Sequence, residues 1–143
     1  KWPNDIMVDG KKVGGILSES FSLRNERLAV VGVGINTNNR IPVWLRRKAS
    51  SLCSVNGKKI NNDVLLDAFL VAFSRMADKI SKGKLQGVVS SYRKSCSTIG
   101  GRVKVRVGCG VVAGVAVGVT SRGYLQVKHG GDTMVVVDGT VMG

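Results

Sequence analysis

Lys1-Trp2-Pro3-Asn4-Asp5-Ile6-Met7-Val8-Asp9-Gly10-Lys11-Lys12-Val13-Gly14-Gly15-Ile16-Leu17 is the stretch whose reading decides the fold. Asp9-Gly10 is a strong hairpin signal, because a tight type I′ turn needs positive φ and Gly supplies it without strain. Ile6-Met7-Val8 runs into the turn, and Val13 to Phe21 runs out of it. Asp5 and Lys12 flank the turn, so closing the hairpin brings an acid and an ammonium group towards each other. Gly14 and Gly15 beside the lysine offer bare backbone against which an anionic group can be held. An ordinary surface hairpin with a solvated lysine satisfies the same spacing.

Working outward, Lys1 to Asn36 reads as three strands of an antiparallel meander, the last being Arg27 to Asn36. Leu28-Ala29-Val30-Val31 suggests a buried strand, and Ser22 to Glu26 is the polar turn before it. Asn36 to Asn62 is a long polar connection, with a short helix expected near Trp44 to Lys48. Asn62 to Lys82 is the best helix in the chain. Asn62 is its expected cap, and Leu65, Phe69, Ala72, Phe73, Met76 and Ile80 form one apolar stripe, expected to be core. A second helix is expected over Leu85 to Ser95. After Ser97 the period changes to two: Val103, Val105 and Val107 alternate with Arg102, Lys104 and Arg106. Short strands and Gly-rich turns then predict a small β-barrel, with a domain boundary near Ser97 to Gly100.

The 143 residues suffice for one domain, or one part-domain with a small appendage, and 43% apolar content suffices for a core. No apolar run is long enough to span a bilayer as a helix. The chain opens at Lys1 rather than Met, inside a motif, so it is expected to be part of a longer protein or a processed product. Cys53, Cys96 and Cys109 are odd in number and widely spaced, and with His129 the single histidine they make a zinc site a poor expectation. No metal ligands are nominated, and an intracellular setting with reduced thiols is expected. A formal net charge of +13 favours a polyanionic partner. The cations are dispersed along the sequence, and no aromatic ladder interleaves them as a single-strand binder would need. Nucleic acid is therefore not an expected partner, whereas an acidic carrier protein would profit from the same field.

Three pieces stand in order: Lys1-Trp2-Pro3-Asn4-Asp5-Ile6, then Lys12-Val13-Gly14-Gly15-Ile16-Leu17-Ser18-Glu19, then Val31-Gly32-Val33-Gly34-Ile35-Asn36. Together they resemble the biotin–protein ligase family, whose pattern is K-W-P-N-D, K-[VL]-x-G-I-L-x-E and G-x-G-I-N. Ala49-Ser50-Ser51-Leu52 resembles the segment that introduces that family's following helices, and the end of the chain resembles its SH3-like carboxyl-terminal domain. The resemblance implies an α+β fold: residues 1–97 as the carboxyl-terminal part of the catalytic domain, a class II synthetase-like mixed sheet with helices, and residues 98–143 as an SH3-like barrel.

It also implies a chemistry. The family uses ATP, with Mg2+, to activate biotin as biotinyl-AMP, and a lysine of a biotin carboxyl carrier domain then takes the biotinyl group. By resemblance, Lys12 contacts the biotin carboxylate and phosphate oxygens, where a compact ammonium suits charge at one point. Gly14, Gly15 and Ile16 let ligand approach the backbone, and Asn36 reads adenine, whose edge an amide can match by donating and accepting together. Asp5 orients the incoming carrier lysine, with Asn4 and Trp2 lining the same place. Lys12 and Asp5 are thus the expected catalytic pair. Without the resemblance, Asp5 and Asn4 read as turn formers, Asn36 as a strand terminator and Trp2 as core.

Two departures from the family pattern stand out. The Gly/Arg-rich G-R-G-R-x-G loop that precedes K-W-P-N-D in these ligases, and the residues that grip the ureido ring of biotin, are not among these residues. Gly14 replaces a more usual Ala. The chain is therefore expected to hold half of a catalytic site, to be inactive alone, and to need the amino-terminal part of the ligase as a partner. A homodimer is the further partner expectation, and the expected location is the cytoplasm, with an organelle as the alternative. Competing readings are a lipoate ligase relative, which shares a K-x-x-G hairpin, a non-catalytic fragment, and a basic nucleic-acid-binding module, which lacks recognition motifs. A P-loop is disfavoured, because Gly10-Lys11-Lys12 and Gly57-Lys58-Lys59 lack the preceding glycine spacing and the following Ser or Thr.

Overall fold

A computed structural model describes residues 1–24 and 26–142 of the chain. The chain divides into two compact units, Asn4–Leu66 and Lys1–Pro3 together with Asp67–Gly143.

In the first unit, β1 (Asp5–Val8), β2 (Lys11–Leu23) and β3 (Glu26–Ile35) form an antiparallel sheet in that order. Asp9 and Gly10 have φ of 48° and 73°, as the type I′ turn between β1 and β2 requires. At the other end Leu23 pairs with Glu26. Arg24 in that turn has φ of 48°, and Asn25, part of the expected Ser22 to Glu26 turn, lies outside the described residues. Beyond β3 the chain does not run on as an unbroken loop. Near the expected short helix it makes a 3-10 turn, Val43–Leu45, and then a helix that periodicity did not reveal, α1 (Leu52–Asn56). Ser51 caps α1 by accepting from the Ser54 amide, and Gly57, with φ of 70°, ends it. Five residues are too few to display a helical period, so only the caps announce α1.

The long helix α2 (Asn62–Ser81) starts at the end of this unit and continues past Leu66. Its cap is Asn61 rather than the expected Asn62: the Asn61 side-chain oxygen accepts from the amides of Asp63 and Val64. The apolar stripe is present, and Phe69 and Phe73 stack with centroids 5.7 Å apart. Yet no α2 residue is buried, which corrects the expectation of a core stripe. Among the described residues no other element packs extensively along this helix.

The second unit contains α3 (Leu85–Ser95), β4 (Arg102–Val107), β5 (Gly110–Val119), β6 (Leu125–His129), β7 (Asp132–Val136) and β8 (Thr140–Val141). The strands form one antiparallel sheet in the order β7-β6-β5-β4-β8. Strand alternation puts Val103 and Val105 on one face with Ala116, Val119, Leu125, Val127, Val136 and Val141, and these side chains make the core. Val89 of α3 joins that core, and the Arg93 guanidinium donates to the Val119 carbonyl at the end of β5. At Gly114 strands β5 and β6 come so close that a Cβ would stand 2.2 Å from the Lys128 carbonyl.

Trp2 belongs to this core. It is 3% exposed, its amide donates to Thr98 Oγ1 at 2.8 Å, and its indole Nε1 donates to the Gly123 carbonyl at 3.0 Å. The start of the chain is therefore fastened by a large side chain whose polar atom is satisfied. We predict that Trp2→Ala lowers the stability of this unit by about 3–5 kcal/mol in urea unfolding, through lost burial and the cavity left behind. Trp2→Phe, which keeps most of the volume but not the indole donor, should lose a smaller part of that.

Candidate functional site

The site grows from the β1–β2 ladder. Asp5 pairs with Gly15 and Ile6 with Gly14, but Met7 pairs with Lys12, so Val13 is an extra residue on β2. This bulge decides which way the lysine faces. Asp5 and Met7, two apart on β1, share one face of the sheet. Without the bulge Lys12 would share a face with Gly14; with it, Lys12 shares the face of Asp5 and Gly15. The Lys12 Nζ lies 2.6 Å from Asp5 Oδ1, with both side chains partly exposed. At that exposure the pair contributes only about 0–1 kcal/mol to stability, so its importance is positional.

The Lys12 backbone is fixed independently. Its amide donates to the Lys48 carbonyl at 2.8 Å, and its carbonyl accepts from the Ser50 amide at 2.9 Å. Val13, the next residue and the one the bulge adds, is 1% exposed. The lysine is thus anchored through its main chain, independently of the ammonium's contact with Asp5.

Beside the pair is an open cleft of about 600 Å³, lined by Asn4, Asp5, Lys12, Gly15, Ile16, Leu17 and the Gly32-Val33-Gly34 run of β3. Gly15 pairs with Gly34, and Leu17 with Gly32, on the face that carries Asp5. A Cβ on Gly34 would meet nothing within 4 Å, and one on Gly15 would sit 3.5 Å from Lys12 Nζ. The floor is therefore bare backbone beneath an ammonium group, an arrangement suited to an anionic ligand that must lie close to the strands. Asn4 enters through its backbone as well, its carbonyl accepting from the Ile16 amide at 2.9 Å.

The fold thus gathers Lys12, Asp5, Asn4, Gly15 and Ile16 of the expected residues at one cleft, and separates the other three. Gly14 is turned towards β3, where a Cβ would stand 2.5 Å from the Gly34 carbonyl; it serves close strand packing, which accounts for Gly in place of Ala. Asn36 does not line this cleft. Its Nδ2 donates to the Ser50 carbonyl at 3.2 Å, and its Oδ1 accepts from Asn39 at 3.3 Å, so its amide ties the end of β3 to the following loop. Trp2 sits in the core of the other unit. Leu17, Gly32, Val33 and Gly34 line the cleft without having been nominated. The G-x-G spacing held the signal, since glycines two apart on a strand share one face, but the register that sets them opposite Gly15 and Leu17 emerges only on folding.

Comparison with known proteins gives consistent results. The Biotin/lipoate A/B protein ligase family model matches residues 1–36, and the Biotin protein ligase C terminal domain model matches residues 98–140. The Bifunctional ligase/repressor BirA of Bacillus subtilis is 32% identical over 133 residues, covering 90% of this chain and 41% of the relative. The Biotin--[acetyl-CoA-carboxylase] ligase of Mycobacterium tuberculosis is 30% identical over 143 residues, covering 99% of this chain and 52% of the relative. Among solved structures, the biotin protein ligase from Aquifex aeolicus in complex with biotin and ATP superposes with a TM-score of 0.84 at 27% identity, over 99% of this chain and 59% of the other. The chain therefore spans roughly half the length of the relatives it matches.

The two glycines make opposite predictions. Gly14→Ala should destabilise the protein by about 1–3 kcal/mol, because the methyl collides with a backbone carbonyl that a rotamer change cannot move. Gly34→Ala points into open space and should change stability by no more than about 0.5 kcal/mol. Thermal unfolding of the two variants side by side checks both.

Proposed function

The chain belongs to the biotin protein ligase family, whose carboxyl-terminal portion it matches, and on that premise we propose that it supplies the adenylate-side half of a biotin–protein ligase active site. The observation that carries this reading is the Lys12 ammonium beside Asp5, over a floor of bare glycine backbone.

The reaction has two steps. A biotin carboxylate oxygen attacks the α-phosphorus of ATP, which enters as its Mg2+ complex, and pyrophosphate leaves; the product is the mixed anhydride biotinyl-AMP. The amine of a carrier lysine then attacks the acyl carbon, an amide bond forms, AMP leaves and a proton is released. Both steps place negative charge on oxygens around phosphorus and the acyl carbon. Lys12 stabilises that charge at a single point, more effectively as the ligand excludes water from the open cleft. Its main-chain anchors mean that little reorganisation is needed when the anion arrives. Asp5 holds the ammonium in place in the resting protein, and when the anion claims Lys12 its carboxylate is released to receive the incoming amine. Asn36, outside the cleft, acts by tying the end of β3 to the Ser50 carbonyl, and reads adenine only if the nucleotide extends beyond the cleft to the donor and acceptor capacity left on its amide. The carrier is a biotin carboxyl carrier domain of a carboxylase, and the protein works in the cytoplasm or in an organelle that holds the carboxylase. Residues 1–97 act as part of the catalytic domain and residues 98–143 as a small carboxyl-terminal domain; the second family match, at residues 98–140, supports that division.

Full activity is assigned to the protein that joins this chain to the Gly/Arg-rich loop expected of the family. In that protein, Lys12→Ala should slow biotinyl-AMP formation about 100-fold or more, as removing one well-placed donor to a developing oxyanion does. Asp5→Asn should leave adenylate formation largely intact and slow transfer, so that biotinyl-AMP accumulates. Pyrophosphate exchange and intact-mass detection of biotin on the carrier domain measure the two steps separately. A Lys12→Ala protein that keeps its exchange rate within about twofold would overturn the assignment.

A further inference from the structure

The outward face of the β7-β6-β5-β4-β8 sheet is a surface the ligase chemistry does not use. The ladder register puts Arg102, Lys104 and Arg106 of β4 opposite Val115, Ala113 and Val111 of β5, and puts Val115 in turn opposite Lys128 of β6. Paired residues in an antiparallel ladder share a face, so four cations scattered over 27 positions of sequence, from Arg102 to Lys128, converge on one side of the sheet. Along β4 they recur about every 6.6 Å, the distance between alternate strand residues. Among the described residues no carboxylate side chain neutralises them. The strand positions on this face carry no Asp or Glu, and the ion pairs of Lys12 with Asp5 and of Lys82 with Asp78 involve none of these four cations. The carboxylates nearest in the ladder are Asp132, opposite His129, and Asp138, just after β7.

The same face is also apolar between its charges. Val111, Val115 and Val135 are 55%, 36% and 50% exposed. An open cleft of about 720 Å³ is lined by Arg102, Lys104 and Ala113 of this face, by Val103, Gly114 and His129 of the other, and by Met142. There the Ala113 carbonyl accepts from His129 Nδ1 at 2.8 Å.

We infer that this face docks a protein whose surface presents carboxylates around an apolar patch. Three observations select that partner. The unpaired cations call for an anion. The valines lie idle against a phosphate backbone but become buried against a protein, which gives the apolar centre and charged margin of a specific interface. A second copy of this chain would set Arg102, Lys104 and Arg106 against their own kind with no carboxylate between them. The inference stands apart from the Lys12 chemistry and survives if that reading fails.

The test titrates the whole protein with three fluorescent probes of equal negative charge: a soluble peptide alternating glutamate with valine, an oligoglutamate and an oligothymidylate. Two variants accompany it, Arg102→Gln/Lys104→Gln/Lys128→Gln and Val115→Thr/Val135→Thr, each checked for unchanged thermal unfolding. The expected result is that the glutamate–valine peptide binds at least about tenfold tighter than oligoglutamate, and that each variant removes about tenfold or more of that affinity. The proposal is overturned if oligothymidylate binds tightest and the valine variant leaves it unchanged, which marks a phosphate-binding surface. It is equally overturned if no probe saturates, or if the protein self-associates through this face and the triple variant makes it monomeric.

Discussion

One extra residue in β2 governs the arrangement of the site. Strand geometry allows two faces and nothing between, so a lysine three positions before Gly15 belongs by default on the side away from it. The bulge at Val13 reverses that assignment and delivers the ammonium to Asp5 at 2.6 Å. The burial of Val13 and the two main-chain bonds to residues 48 and 50 hold the bulge in place. The loop after β3 supports the site although none of its residues lines the cleft: it fixes the backbone from which Lys12 projects. Asn36 contributes in the same way, tying the end of β3 to Ser50.

Glycine performs two different tasks within a few residues here. Gly14 is required because the β3 backbone lies against it, whereas Gly15 and Gly34 leave bare backbone along the cleft, where the proposed ligand would lie. Packing and binding are thus separable by substitution even at adjacent positions. The same logic accounts for the division of the Trp-Pro-Asn-Asp run. Its indole anchors in one compact unit, while its asparagine carbonyl and aspartate carboxylate serve the cleft of the other.

The three-strand meander, the type I′ turn, the two longer helices and the β-rich end were legible in the sequence because each rests on local rules: turn chemistry at Asp9-Gly10, helical period from Asn62, strand alternation from Arg102. Lys12, Asp5, Asn4 and Gly15 were legible because a hairpin brings its ends together, which also suggested Gly14, now turned to β3, while Ile16 was nominated through the family resemblance. What escaped depended on register or on surroundings. A bulge leaves no mark in composition, and so neither the facing of Lys12 nor the glycine floor at Gly32 and Gly34 could be read in advance. The cap one residue early, at Asn61, reflects a competition between two adjacent asparagines that propensity does not resolve. The α2 stripe shows the limit of periodicity, which reports that a face is apolar and not that anything covers it. The outward cations of the second unit show the converse, since they look dispersed along the chain and assemble only when the strands pair.

The most direct measurement is the chemical reactivity of two adjacent lysines. In the full-length protein, acylation of Lys11 and Lys12 would be followed by mass spectrometry with and without a non-hydrolysable sulfamate analogue of biotinyl-AMP. The bulge turns Lys12 into the cleft, whose lining does not include Lys11. The account predicts that the analogue protects Lys12 and leaves Lys11 as reactive as before. Equal labelling of both lysines in the presence of saturating analogue would contradict it.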